Sequence, residues 1–222
     1  RREVRAKDPV LNLRIFAIPE FRTGATLVML DFGIILSAMY LLPMYLQKGL
    51  LLPVALTGII MLPGGVINAL VSAFAGRLYD RLGAKMPTRI GFIIALIGAI
   101  MLAMTSSTSS VAYVIAAHVI LMIGCPLAMS PAQTHALSAL SGMQSADGST
   151  IMNTMQQIVG AIATALATSL LGIGTAAASG KSAAFAFTNG VHYGIYFTVV
   201  LIVVALIVSL GIKNPAKSKD NH

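Results

Sequence analysis

Asp31 is the only acidic residue well inside an apolar run of this sequence. Eight residues past Thr23, it stands about 12 Å along a helix that begins there. A carboxylate at such depth is expensive, about 2.5–3.5 kcal/mol on insertion scales, so it must face a cavity or a partner. Desolvation makes a carboxyl group hold its proton more readily, which is the property a proton carrier needs. Two readings of Asp31 stay open: a proton-coupling group, or a neutral hydrogen-bonded acid turned toward a packing surface. Asn153, Gln156 and Gln157 are the second set, amides whose spacing puts at least two on one helix face. They suit hydrogen bonding to a ligand or bridging between helices, as do Asn68 and Gln133. His118 and His135 are 17 residues apart, so they lack the i, i+3 or i, i+4 spacing of a metal pair. His118 suits a proton relay or plain helix packing; His192 suits an interface. The spacing points to no metal site, no Ser/His/Asp constellation and no G-x-x-x-x-G-K-S/T loop, which excludes familiar catalytic and ATP-driven chemistry. No cofactor is expected.

The elements carrying these residues follow from composition. Of 222 residues, 57% are hydrophobic and 10% charged, against about 25% charged in a soluble domain. The mean hydropathy is +0.86. Six apolar segments are long enough to cross a hydrocarbon layer of about 30 Å: Thr23–Leu46, Val54–Leu78, Pro87–Met104, Val111–His135, Ser149–Ile173 and Val191–Ile212. In lipid each must satisfy its own backbone, which makes them helices. The fold class expected is an all-α membrane protein. Residues 1–22 read as a leading interfacial segment, 23–212 as a six-helix bundle, and 213–222 as a tail. The small-residue stretch Ala176–Asn189 reads either as a loop or as extensions of its neighbouring helices. The chain begins at Arg1 without a signal-peptide pattern, which suggests an excerpt from a longer protein. Cys125, the single cysteine, lies inside an apolar run and is read as an inert buried thiol. Twelve methionines suit core, lipid contact or an adaptable binding wall.

The net charge of +8 is a topology signal. With six spans, Arg1, Arg2, Arg5, Lys7, Arg14, Arg22, Arg77, Arg81, Lys85, Arg89, Lys213, Lys217 and Lys219 share one side, and only Lys48 and Lys181 take the other. The positive-inside rule then puts both termini in the cytoplasm. Nucleic acid is not needed to explain the charge.

The turn between the second and third spans reads Gly76-Arg77-Leu78-Tyr79-Asp80-Arg81-Leu82-Gly83-Ala84-Lys85. It resembles the cytoplasmic G-x-x-x-D-R/K-x-G signature of the major facilitator superfamily, at the place that signature occupies in a six-helix repeat. Ala84 and Met86 depart from it where basic residues are common. The resemblance implies a cytoplasmic latch made by Gly76, Asp80, Arg81, Gly83 and Lys85, governing the access state. Three further stretches are similar to the C-terminal half of fourteen-span drug:proton antiporters of the EmrB/QacA type: Pro9 to Phe16, Leu62-Pro63-Gly64-Gly65, and Asn153 to Gly160. Pro63, Gly64 and Gly65 would let the second span hinge. Gly160, Ala163, Thr164 and Ala167 form a small-residue face suited to close packing.

The resemblance implies a secondary transporter in a bacterial plasma membrane, exporting small hydrophobic compounds against protons. Its partners would be the lipid bilayer and a missing N-terminal half. The missing half is also the surface a structural Asp31 would face. Two rivals remain at this point: a facilitator of the same fold moving one metabolite, and a membrane sensor or assembly protein that transports nothing.

Overall fold

The computed structural model describes residues 13–212. The basic residues Arg1, Arg2, Arg5, Lys7, Lys213, Lys217 and Lys219, the stretch Pro9 to Asn12, and the tail 213–222 lie outside the described residues.

A short 3-10 turn, Leu13–Ala17, leads into six helices: α1 Pro19–Met44, α2 Val54–Leu82, α3 Lys85–Ala103, α4 Val111–Ser138, α5 Met143–Ala177 and α6 Ala183–Ser209. All six are long and apolar enough to span a membrane, and among the described residues there is no strand. The chain is an all-α membrane protein.

Local chemistry sets the ends. Pro19 opens α1, where its missing N–H is not needed. Ser110 and Ser182 cap α4 and α6 by accepting from the N–H groups of Tyr113 and Phe185, each at 3.3 Å. Gly83 closes α2 with φ 71°, a conformation that favours glycine, and its N–H donates to the Tyr79 carbonyl at 2.7 Å. At the far end of α1, the five residues Tyr45–Gly49 continue as a π turn.

Several helices outrun the apolar segments read from sequence. α1 starts at Pro19 rather than Thr23, α5 at Met143 rather than Ser149, and α6 at Ala183 rather than Val191. Hydropathy marks where lipid ends, whereas helix propensity and caps mark where the helix ends. The Ala-rich stretch after Ile173 accordingly extends its neighbours, leaving only residues 178–182 between α5 and α6.

The helices form two layers. In one layer α2 packs on α4, α4 on α1 and α1 on α5; in the other, α3 sits behind α4 and α6 behind α1 and α5. The central pair α1 and α4 is the most enclosed, about half of each being buried, whereas α2 and α5 leave most of their apolar length at the surface of the bundle. α1 and α4 are therefore where a dry polar group can be held.

Small residues bring the backbones together. A Cβ on Gly91 of α3 would lie 2.5 Å from the Ala128 nitrogen and 2.7 Å from the Gly124 carbonyl of α4. Gly160 of α5 receives Leu36 and Phe32 of α1, and Ala163 and Ala167 are buried on the same side.

Candidate functional site

The polar groups of interest lie along the seam of α1 and α4. Asp31 is fully enclosed, and neither carboxyl oxygen has a hydrogen-bond partner. The thiol of Cys125, also fully buried, is the polar group beside it. Leu27, Val28 and Ile34 surround it on its own helix, each without exposure. An ionised carboxylate without a donor or cation is costly in such surroundings. Asp31 does not line either of the two cavities described below.

Two turns along α4 from Cys125, His118 is 4% exposed. Its Nδ1 is buried without a partner. The ring presses on α2 where Gly64 stands, and a Cβ there would collide with the imidazole Cε1 and Nδ1. Gly64 thus has a packing role beyond the hinge read from sequence. Helix α2 runs on through Pro63, Gly64 and Gly65 without a break. Pro63 supplies no N–H to the carbonyl of Ile59.

His118 forms one wall of a cavity of about 200 Å³ between α1, α2 and α4. Three methionines, Met39, Met61 and Met122, line it together with Gly65 and Asn68. The Asn68 amide donates to the Met122 sulfur at 3.7 Å. Sequence placed Asn68 and His118 separately and did not join them. The usable signal was that Met61, Gly65 and Asn68 share one face of α2 while His118 and Met122 share one face of α4.

The amides on α5 stand apart from this cavity. Asn153 and Gln157 are exposed on one face, while Gln156 turns inward and its Nε2 is buried without a partner.

At the far end of α2, the signature turn is built from Gly83 and the exposed side chains of Asp80, Arg81 and Lys85; Gly76 has open space around it. Arg77 stacks over Phe74 at 5.7 Å. Arg77 and Arg81 edge a second cavity of about 400 Å³ with Val71, Phe74, Leu78 and Leu127. A tie at this end comes from a residue that sequence treated only as a charge. Arg89 donates to the Ser209 carbonyl at 3.4 Å and to the Leu210 carbonyl at 3.1 Å, closing the start of α3 onto the end of α6. A cation on the free carbonyls of a helix C-terminus is favourable. Beside it, the Tyr79 and Ser138 hydroxyls meet at 3.3 Å, joining α2 to α4.

The opposite end is tied as firmly. The Tyr45 hydroxyl donates to the Ser106 carbonyl at 2.6 Å, and His192 Nε2 lies 2.7 Å from the Thr105 carbonyl. Both bonds fasten the α3–α4 connection to neighbouring helices, which gives His192 a structural role. Among the described residues no cluster of three or more His, Cys, Asp or Glu could hold a metal.

Comparison with known proteins agrees with this architecture. The family model described as Major Facilitator Superfamily matches residues 2–164. The lincomycin resistance protein LmrB of Listeria innocua is 42% identical over 173 residues, 78% of this chain and 37% of that protein. LmrB of Bacillus subtilis is 40% identical over the same share of this chain. The multidrug resistance protein Stp of Mycobacterium tuberculosis is 26% identical over 169 residues, 76% of this chain and 31% of that protein. The chain spans little more than a third of the length of the lincomycin resistance proteins it matches, and somewhat less than a third of Stp. Members of this superfamily are membrane transporters rather than enzymes. By sequence and by its six membrane-spanning helices, the chain belongs to the major facilitator superfamily.

Proposed function

We propose that this chain is the C-terminal half of a proton-coupled exporter of small hydrophobic compounds, set in the cell membrane with both termini of the segment in the cytoplasm. The observation that carries the reading is the 42% identity to a lincomycin resistance protein across 78% of the chain. The division into a leading segment, residues 1–22, a half-bundle, 23–212, and a tail, 213–222, belongs to the same proposal. The N-terminal half of the transporter would complete the substrate pathway, and the two halves would rock about it.

Asp31 is the proton-coupling group in this reading. Its enclosure without a partner supports the role, because an ionised carboxylate is stable there only when water or a cation reaches it. Proton binding and release at Asp31 is then linked to opening of the α1–α4 seam. Gly76, Asp80, Arg81, Gly83 and Lys85 form the latch at the cytoplasmic end, and Pro63, Gly64 and Gly65 the flexible point of α2. The exposure of Asn153 and Gln157, with Gln156 buried behind them, supports a role for this face of α5 in substrate contact.

The test uses the complete transporter in proteoliposomes under an imposed pH gradient. Gradient-driven movement of several unrelated dyes supports the proposal. Gradient-independent uptake of one metabolite would replace it with the facilitator reading, and absence of any flux would replace it with the sensor reading.

A further inference from the structure

The register of the α1–α4 seam is fixed on both sides of Asp31. On one side, a Cβ on Gly24 would lie 2.7 Å from the Ala132 carbonyl and 2.8 Å from the Ala136 Cβ. On the other, Ile35 and Met39 of α1 share a cavity wall with His118 and Met122 of α4. Asp31 follows Gly24 by seven residues and Cys125 precedes Ala132 by seven, two turns along each helix in opposite directions. That register seats the carboxyl against the thiol, and both residues are fully buried. No other donor claims either carboxyl oxygen. Leu27 and Val28 of α1 and Leu121 and Ala128 of α4, all without exposure, make the surroundings apolar.

The neighbour's chemistry matters to a group that must both hold and release a proton. An arginine or lysine in its place would keep the carboxylate ionised, and an aliphatic side chain would leave the oxygens bare. A thiol is a weak donor that tolerates apolar surroundings. It can orient the acid without binding the charged form strongly. We infer that Cys125 is the positioning residue for Asp31: side-chain rotation brings its S–H onto a carboxyl oxygen whenever Asp31 holds a proton, fixing the acid toward α4 while the seam is closed. The thiol keeps its own proton throughout, and only the Asp31 proton is exchanged when the seam opens. The inference deepens the exporter reading and rests on its assignment of proton coupling to Asp31.

Infrared spectroscopy of the complete transporter in lipid nanodiscs, with no proton gradient, reads the bond directly. The stretching band of the protonated Asp31 carbonyl is the one lost in Asp31→Asn. Cys125→Ala is expected to move that band to higher frequency, because a donor to the oxygen is lost. Cys125→Ser is expected to move it to lower frequency, because a hydroxyl donates more strongly than a thiol. Both replacements are close to cysteine in size, and repacking alone would not shift the band in opposite directions. The S–H band, identified by its loss in Cys125→Ala, is expected at lower frequency in the wild type than in Asp31→Leu, which lacks the acceptor. Gradient-driven efflux should fall about threefold in Cys125→Ala, as loss of a weak hydrogen bond implies, and recover in Cys125→Ser. The inference is overturned if no protonated carbonyl band disappears in Asp31→Asn, or if that band or the S–H band stays unmoved. Efflux at the wild-type rate in Cys125→Ala would overturn it as well. Lost coupling in Asp31→Asn with unmoved bands sinks the inference and leaves the exporter reading standing. Wild-type efflux in Asp31→Asn with shifted bands sinks the coupling assignment and leaves the thiol–carboxyl contact standing.

Discussion

The imidazole of His118 lies directly against Gly64, so that α4 and α2 meet at a point where even a methyl group has no room. Gly64→Ala therefore forces the ring to move or the helices to part, an overpacking penalty of about 1–3 kcal/mol. Thermal unfolding in detergent should show a lowered midpoint for Gly64→Ala. Pairing it with His118→Ala should restore most of the loss, because the colliding ring is gone. A double variant no more stable than Gly64→Ala would break the link between the two residues.

Arg89 ties α3 to α6 through two backbone carbonyls. Arg89→Ala should lower stability by about 1–2 kcal/mol, since each charge-assisted bond is partly exposed. Arg89→Lys should recover part of this but not all, because a single ammonium cannot reproduce the guanidinium's spread of donors. Equal thermal midpoints for wild type and Arg89→Ala would count against the clamp.

Gly91 and Gly124 hold α3 and α4 at backbone contact. Gly124→Leu would drive a side chain into the Ala95 backbone, which cannot yield as a flexible side chain can. The expected result is loss of the monodisperse folded peak in size-exclusion chromatography. Gly172→Leu serves as control, because a Cβ on Gly172 meets nothing within 4 Å, and should elute as the wild type.

Cysteine labelling tests the topology. In a Cys125→Ala background, a cysteine at Lys85 should react with an impermeant maleimide only from the cytoplasmic side, and one at Lys181 only from outside. Both positions are exposed. Labelling of both from the same side would overturn the six-span arrangement.

The fold was largely legible because a membrane solvent leaves few choices. Long apolar runs with polar breaks can only be helices, and all six are present. What hydropathy could not supply was their length, as α5 and α6 show: Gln144, Ser145 and Asp147 at the start of α5, and Thr188, Asn189 and Gly190 in α6, interrupt the apolar run yet continue the helix. The site was legible in types but not in partners. Asp31 stood out as a lone acid, but that it is sealed within this bundle beside Cys125 depends on which face of α4 meets α1, and the strong apolarity all round both helices hides that face. For the same reason Asn68, His118 and the three methionines could not be joined into one cavity from spacing alone. Arg89 looked like one more cation of the positive side, and its carbonyl partners are 120 and 121 residues away.

Coupling through Asp31 is tested most directly by comparing two fluxes in the same proteoliposomes of the complete transporter carrying Asp31→Asn. The account predicts that efflux driven by a pH gradient falls to the rate seen without a gradient, while exchange of labelled for unlabelled substrate at equal pH continues near the wild-type rate. Driven efflux at the wild-type rate in Asp31→Asn would contradict it.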